Sequence, residues 1–369
     1  MAENVMKPDF LFVVHDAGET LALKPVFEVL RRASSNFKVL VMGTARTLLE
    51  KAEYIIDLNE DCHIEPRVDR ETWPRQQPLS AMALEQLTSR LTPRVVICGV
   101  STMIQHQIVQ AYQALGVVAV VYHESLCFTD SDSSLLNQVL ASDTTRFMVS
   151  SHLVARQITG LNRKAKITVV GQPAFDEWHR AAEQFESTRV RELLAPDRRF
   201  DSGKKTILYS GTYCTDHRQL FELFARSVPG LSHFNIVGSL HPKVDGALER
   251  ELLAELKIEN VILLPAAIST MQAAALSDLV VCHRSTVGLQ AMCMKKPVIF
   301  LDIPGSPFTD IAVANGWAHI AYTVDNFKAQ VAAEFARPSA ERNDMFELAE
   351  LPQKSTETIV RYLRSLLPL

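Results

Sequence analysis

Short apolar runs alternate with helix-like stretches along the whole chain, and this alternation constrains the fold more than any other feature. Runs rich in Val, Ile and Leu that are bounded by Gly, Pro or polar residues predict buried strands. Such a pattern is typical of parallel sheets covered by helices on both faces, so the sequence predicts an α/β fold. The predicted strands are residues 10–15, 38–42, 54–57, 94–99, 117–122 and 147–150 in the first half, and 206–210, 234–238, 261–264, 279–282 and 298–301 in the second.

A length of 369 residues with 47% hydrophobic residues suits two domains, each large enough for its own core. The boundary is expected where a strand-like run ends in a Gly/Pro turn and a charged, irregular stretch begins. We predict Rossmann-like domains at residues 1–173 and 204–369 with a linker at 174–203, and the last helix is a candidate to pack back on the N-terminal domain. Two doubly wound domains facing across a cleft bind ligands best at their strand ends.

The formal net charge of −4 gives no general attraction for nucleic acids, so no nucleic-acid partner is expected. No apolar run reaches the roughly 18 residues of a membrane span, and the N-terminus lacks the apolar core of a signal peptide, which makes a cytoplasmic location the default. The six cysteines show neither CxxC pairs nor zinc-ligand spacing, so we expect reduced thiols, no metal and no cofactor. Peripheral membrane contact and a homodimer stay open.

A polar turn at residues 283–288 separates an apolar run from a short helical stretch. It places Ser285, Thr286 and Gly288 at a helix start, where unpaired backbone N–H groups and the helix dipole favour an anion. Arg284 lies beside them. The alternative interpretation is an ordinary Ser/Thr helix cap followed by an ordinary glycine.

Polar side chains also follow two predicted strands of the first half. His15 and Asp16 come directly after the first strand. His123 and Glu124 come after an apolar run that predicts a buried strand. Charged groups in that position are costly to bury unless they are paired or face a cleft, so they are candidate catalytic groups. Glu19 is a further candidate, although an acid in the first helical turn also serves as a cap.

Three positions in the second half follow strands in the same way. Gly211 and Thr212 come after its first strand, where backbone can approach a pyrophosphate closely. His241 and Pro242 come after the second strand, and the histidine is a candidate phosphate contact. Asp302 follows another core strand, as a ligand contact or as a turn-forming Asp before Pro and Gly.

Several segments resemble, in order, motifs of the GT-B superfamily, and most of all its UDP-N-acetylglucosamine 2-epimerase branch and related bacterial glycosyltransferases. The His241-Pro242 pair is similar to one in bacterial transferases that use cytidine-activated donors. The resemblance implies an acceptor-side N-terminal domain and a C-terminal domain that binds a nucleotide-sugar. The matching segments are distributed over nearly the whole length of the chain. They are residues 15–26 with Glu19, 123–125, 170–176, the nucleotide loop 286–292 with Gln290, and 295–298.

The sequence also departs from the epimerase pattern. No carboxylate follows the fourth strand at residues 99–102, and Ala291 and Met292 stand where the family has two glutamates. The family's His-Arg pair is absent after the first C-terminal strand, although His217 follows shortly. Because an epimerase needs several positioned ionisable groups, these losses argue against 2-epimerase chemistry.

The predicted activity is therefore transfer of a sugar from a nucleotide-activated donor to a hydroxyl group of a glycan, lipid or small molecule, without a metal. The predicted base is His15 or Asp16 first and Glu124 second, while Asp302 faces the donor sugar. Two alternatives stay open: a divergent epimerase or hydrolase, and a non-catalytic scaffold with the same fold. The predicted donor-phosphate contacts are Thr212, His241, Arg284, Ser285 and Thr286.

Overall fold

The computed structural model describes most of the chain as two compact units. The N-terminal unit comprises Met1–Ala174 and Ala349–Leu369, and the C-terminal unit comprises Phe175–Leu348. The described residues are 6–49, 52–64, 78–99, 102–126, 145–185, 187–241, 244–265, 267–283, 285–305, 311–338 and 344–367.

Strands and helices alternate through both units. The strands are β1 (Phe10–Val14), β2 (Phe37–Val41), β3 (Ile55–Asp57), β4 (Val95–Cys98), β5 (Val118–His123), β6 (Arg146–Val149), β7 (Lys166–Val169), β8 (Thr206–Ser210), β9 (Asn235–Ser239), β10 (Val261–Leu263), β11 (Leu279–Cys282), β12 (Val298–Leu301) and β13 (His319–Ala321). The helices are α1 (Ala17–Arg32), α2 (Ala45–Leu48), α3 (Ala81–Arg90), α4 (Met103–Ala114), α5 (His152–Leu161), α6 (Pro173–Glu183), α7 (Ser187–Leu194), α8 (His217–Ser227), α9 (Ala247–Glu255), α10 (Thr270–Leu276), α11 (Thr286–Cys293), α12 (Ile311–Ala314), α13 (Val324–Ala336), α14 (Met345–Leu348) and α15 (Ser355–Ser365).

Each unit is built on one parallel sheet. The N-terminal sheet runs in the order β3-β2-β1-β4-β5-β6-β7, and the C-terminal sheet in the order β10-β9-β8-β11-β12-β13. Neighbouring strands pair in parallel, with Phe12 opposite Val39 on one side and Ile97 on the other. The predicted α/β class with two doubly wound sheets is therefore confirmed.

Strand β1 shows why the sheet needs helices on both faces. Phe10 and Phe12 point into the apolar layer shared with α1 and α15, whereas Leu11 and Val13 point into the layer shared with α3 and α4. All four side chains are almost fully buried. Since side chains alternate along a strand, a strand with both faces covered reads as a continuous apolar run.

The eleven predicted strands appear with their ends displaced by no more than one residue, and β7 and β13 are additions to them. The unit boundaries differ from the expected domain boundaries. Residues 175–203, expected as linker, lie in the C-terminal unit and contain most of α6 and all of α7. The apolar side of α7 is formed by Val190 and Leu194, which are buried. Because the helix also contains many charged residues, this apolar side is not evident from the sequence. Residues 349–369 lie in the N-terminal unit, where α15 packs on α1.

The described cysteines are free thiols, and Cys127 lies outside the described residues. Burial raises the pKa of Cys62 to about 11 and holds those of Cys98 and Cys293 well above the ordinary value, whereas Cys214 is exposed. In the part of the chain that the structure describes, no helix is long and apolar enough to cross a membrane.

Candidate functional site

The strand order identifies the same position in both sheets as the place for a ligand. The order reverses between β1 and β4 in the N-terminal sheet, and between β8 and β11 in the C-terminal sheet. At such a switch point the loops at the carboxyl ends of the strands diverge, and α/β proteins bind their ligands there. His15 and Asp16 follow β1, and Thr212 follows β8, so several predicted site residues lie at these two edges.

The turn between β1 and α1 is closed by a reciprocal cap. Asp16 is the N-cap residue of α1, and its carboxylate accepts a hydrogen bond of 3.0 Å from the Glu19 N–H. The Glu19 carboxylate in turn accepts from the backbone N–H groups of His15 and Asp16. Both acids therefore hold the turn, as in a capping box.

Glu19 is buried to an unusual degree for an acid, with 1% of its surface exposed. Its Oε1 accepts a 2.7 Å hydrogen bond from Gln105 Nε2, and its Oε2 occupies the space where a Cβ of Gly99 would stand. Burial raises the pKa of Glu19 well above the ordinary value. Gly99 directly follows β4, so the Glu19 carboxyl reaches the strand end where the sequence lacks an acid of its own.

Two more carboxylates lie beside Glu19. Glu124 Oε1 and Asp16 Oδ1 stand 3.2 Å and 3.6 Å from the point that a Cβ of Gly18 would occupy. Repulsion from both groups adds to burial in raising the pKa of Glu19. Three acidic side chains therefore gather at the carboxyl ends of β1 and β5.

The two histidines predicted as catalytic groups are less accessible than these acids. His15 is 3% exposed and His123 is 1% exposed, whereas Asp16 and Glu124 are half-buried. The ring of His15 lies against Gly43, whose φ of +55° and closeness to Nε2, 2.5 Å from an added Cβ, both demand glycine. Among the predicted bases, accessibility thus favours Asp16 and Glu124.

In the C-terminal unit, the loops after β8 and β9 lie very close to each other. The Gly211 N–H donates a 2.7 Å hydrogen bond to Ser239 O, and a Cβ at Gly211 would stand 3.0 Å from His241 N. This approach requires a glycine. It brings Thr212, which is buried, into the same loop pair as His241, which is half-buried. Two predicted phosphate contacts are therefore neighbours.

Ser285 begins α11 as its N-cap, and its hydroxyl accepts a 3.3 Å hydrogen bond from the Val287 N–H. Thr286 is exposed in the first turn of the helix. Gly288 meets a packing requirement, because a Cβ there would stand 2.7 Å from the Phe300 ring. Gln290 is half-buried further along α11. Pro242 and Arg284 lie outside the described residues.

Asp302 and His283 form a buried group at the ends of β11 and β12. His283 Nδ1 lies 2.7 Å from Leu301 O and 3.7 Å from Asp302 Oδ1. Because a carbonyl only accepts, Nδ1 carries the proton. Asp302 is 1% exposed and accepts from the Ile303 N–H, so its surroundings fit a turn-forming role better than the predicted sugar contact. His283 is not among the predicted site residues, although it directly follows an apolar run.

His217 is the histidine considered for the alternative epimerase activity, and its side chain is buried in the C-terminal unit. Its Nε2 lies 2.9 Å from Glu249 Oε1, which links α8 to α9, and Glu249 has no exposed surface. No group of three or more His, Cys, Asp or Glu within the described ranges is arranged to hold a metal ion.

Two doubly wound units in one chain are the architecture of the GT-B fold, and solved structures confirm this fold. The chain is similar over 98% of its length to the UDP-GlcNAc 2-epimerase of Neisseria meningitidis bound to UDP-GlcNAc, with 100% of that chain covered, a TM-score of 0.69 and 16% identity. The UDP-GlcNAc 2-epimerase of Methanocaldococcus jannaschii matches with the same coverages, a TM-score of 0.66 and 14% identity.

The Anabaena protein HepE, solved in complex with UDP and glucose, also matches over 98% of this chain and 100% of its own, with a TM-score of 0.60 and 14% identity. No family model matches the sequence, and no curated protein is significantly similar to it. The likeness is thus one of fold.

Proposed function

We propose that this chain binds a nucleotide-activated sugar and transfers the sugar to a hydroxyl acceptor. The observation that carries the proposal is the tight pairing of the β8 and β9 loops at Gly211. It brings the backbone of His241, which follows β9, against Gly211, which precedes Thr212 at the end of β8, and β8 borders the switch point of the C-terminal sheet. Backbone N–H groups, a hydroxyl and an imidazole together suit the phosphates of a departing nucleotide. HepE, which shares the fold, is a protein solved with UDP and glucose.

The N-terminal unit would supply the base. Asp16 and Glu124 are half-buried carboxylates at the ends of β1 and β5, and either can accept the proton of the acceptor hydroxyl. The acceptor oxygen then bonds to the anomeric carbon while the bond from that carbon to the phosphate oxygen breaks. Glu19 has a raised pKa and accepts hydrogen bonds from the backbone of the β1–α1 turn. It therefore holds this turn in position and is not itself the base.

One observation favours the epimerase alternative. The sequence lacks the acid that the epimerase branch has after the fourth strand, but the Glu19 carboxyl fills the space beside Gly99 at the end of β4. The chain also has the fold of two proteins named as 2-epimerases. A donor incubated without an acceptor would yield its 2-epimer by this alternative, which proton NMR of the sugar detects, and would stay intact with a strict transferase.

A thermal-shift screen with UDP, CMP, CDP, GDP and dTDP tests nucleotide binding, since a ligand of the native state raises its stability. We expect one nucleotide to raise the Tm, and His241→Ala to abolish this shift. His233→Ala is the matched control, because His233 is exposed at the opposite, amino end of β9. The absence of a shift with all five nucleotides at millimolar concentration would favour the non-catalytic scaffold.

A further inference from the structure

Tyr213 is the most exposed aromatic side chain among the described residues, at 59%. It lies in the loop between β8 and α8, two residues beyond Gly211. Tyr209, four residues earlier in β8, is 2% exposed and stacks on Phe224 with the ring centroids 4.4 Å apart. The same short segment thus buries one tyrosine in the core and leaves the other in solvent.

The Tyr213 ring is nevertheless held in place. It stacks on the His241 ring with the centroids 6.0 Å apart and the planes 22° from parallel. The two loops that carry these rings are fixed by the hydrogen bond from Gly211 N to Ser239 O. Because 59% of Tyr213 is exposed while His241 lies against its ring, this side chain offers a flat aromatic surface to a ligand.

We propose that Tyr213, supported by His241, is the platform on which the base of the nucleotide stacks; this rests on the proposed nucleotide-sugar function. A nucleobase is a planar π system, and base–aromatic stacking tolerates any base because every base has a π face. The platform lies beside Thr212 and His241, the proposed phosphate contacts, so a nucleoside diphosphate would meet both parts of one site. Nothing in the sequence motifs points to Tyr213.

The test is calorimetric titration of the whole chain with UDP, CDP, GDP and dTDP, and separately with inorganic pyrophosphate. Tyr213→Ala should weaken the best nucleoside diphosphate about 5- to 140-fold and leave pyrophosphate affinity unchanged. Tyr213→Phe keeps the ring and should stay within about twofold of the parent chain. Tyr322→Ala, which removes another exposed tyrosine of the same unit, should change neither affinity.

The outcomes separate the two proposals. If the parent chain binds none of these nucleotides, the proposed function fails and the platform with it. If the parent chain binds a nucleotide and Tyr213→Ala binds it equally well, the function stands and the platform is overturned. An equal loss of nucleotide and pyrophosphate affinity in Tyr213→Ala would also overturn it, because the residue would then act on the phosphates or on the loop as a whole.

Discussion

The first strand of each sheet occupies the same topological position, yet the turns that follow these two strands are built differently. After β1, helix α1 begins at Ala17, and the turn is closed by the Asp16 and Glu19 caps. After β8, helix α8 begins only at His217, and its N-cap residue Asp216 makes no side-chain cap bond. One turn is short and locked, whereas the other is longer and exposed.

The difference separates two uses of one topology. The locked β1–α1 turn buries a carboxyl whose pKa is raised, so its geometry is maintained at an energetic cost. The open β8–α8 turn contains little buried surface between Gly211 and His217, so its side chains add little to the core and are accessible to a ligand. We therefore expect substitutions in the first turn to change stability, and those in the second to change affinity.

The largest expected effect concerns the residue that ends the open turn and begins α8. His217 starts α8 and contacts the fully buried Glu249, so His217→Ala leaves a carboxylate buried without its partner. We expect a loss of about 3–5 kcal/mol in the free energy of unfolding, measured by urea denaturation. The double variant His217→Leu with Glu249→Met, which removes both polar groups, should recover most of it. A single-variant loss below about 1 kcal/mol would show that the open turn needs no anchor.

A smaller loss is expected from Gly99→Ala, because Gly99 follows β4 and lies against Glu19 of the locked turn. The added methyl group would overlap Glu19 Oε2 and force the carboxyl from its site, which we expect to cost about 1–3 kcal/mol. Gly160→Ala is the control, because a Cβ there meets nothing within 4 Å and α5 gains a better helix former, worth up to about 1 kcal/mol. Equal stability of the two variants in thermal and urea melts would refute the packing of Glu19 against Gly99.

The charge of the locked turn should appear in the pH dependence of stability. Since the pKa of Glu19 is raised in the folded state, the unfolded chain loses this proton first as pH rises, and the folded state loses stability between the ordinary and the raised pKa. Glu19→Gln keeps the acceptor oxygen but does not titrate. The stability of the variant relative to the parent chain should therefore increase as pH rises above the ordinary pKa of a glutamate.

Glu28→Gln on the same helix is the matched control with the opposite sign. A hydrogen bond from Arg31 lowers the pKa of the exposed Glu28, so the parent chain gains stability from this group as pH rises above the lowered value. The variant should thus fall slightly behind the parent as pH increases from 3 to 5. A flat difference for Glu19→Gln would mean that Glu19 is ionised in the folded state as readily as in the unfolded one.

The sequence predicts best what is local. Continuous apolar runs locate the strands because both faces of each sheet are covered, and Ser285 is recognisable as a cap from its position before a helical stretch. The placement of Glu19 beside Gly99 and the stacking of Tyr213 on His241 join residues that are far apart in the chain. Such contacts depend on strand order, which periodicity does not specify.

The return of α15 to the N-terminal unit has the same cause. Its apolar residues Ile359 and Leu363 show helical spacing in the sequence, but nothing in that spacing names α1 as the partner. The fold class and the strand ends were therefore predictable, whereas the packing partners of each turn became evident only from the structure.

The smallest expected effect is that of substitutions at Ser285, which distinguish its role as a helix cap from a direct contact with the ligand. Ser285→Ala should cost about 1 kcal/mol of unfolding free energy, and Ser285→Gly only a few tenths, since glycine is a tolerated N-cap residue. Both variants lack the hydroxyl but keep the backbone N–H groups of α11. If phosphate binding uses those N–H groups, the nucleotide affinity of Ser285→Gly stays at the parent value. If the hydroxyl itself contacts phosphate, both variants lose affinity equally despite their unequal stabilities, and the C-terminal unit then uses Ser285 as more than a cap.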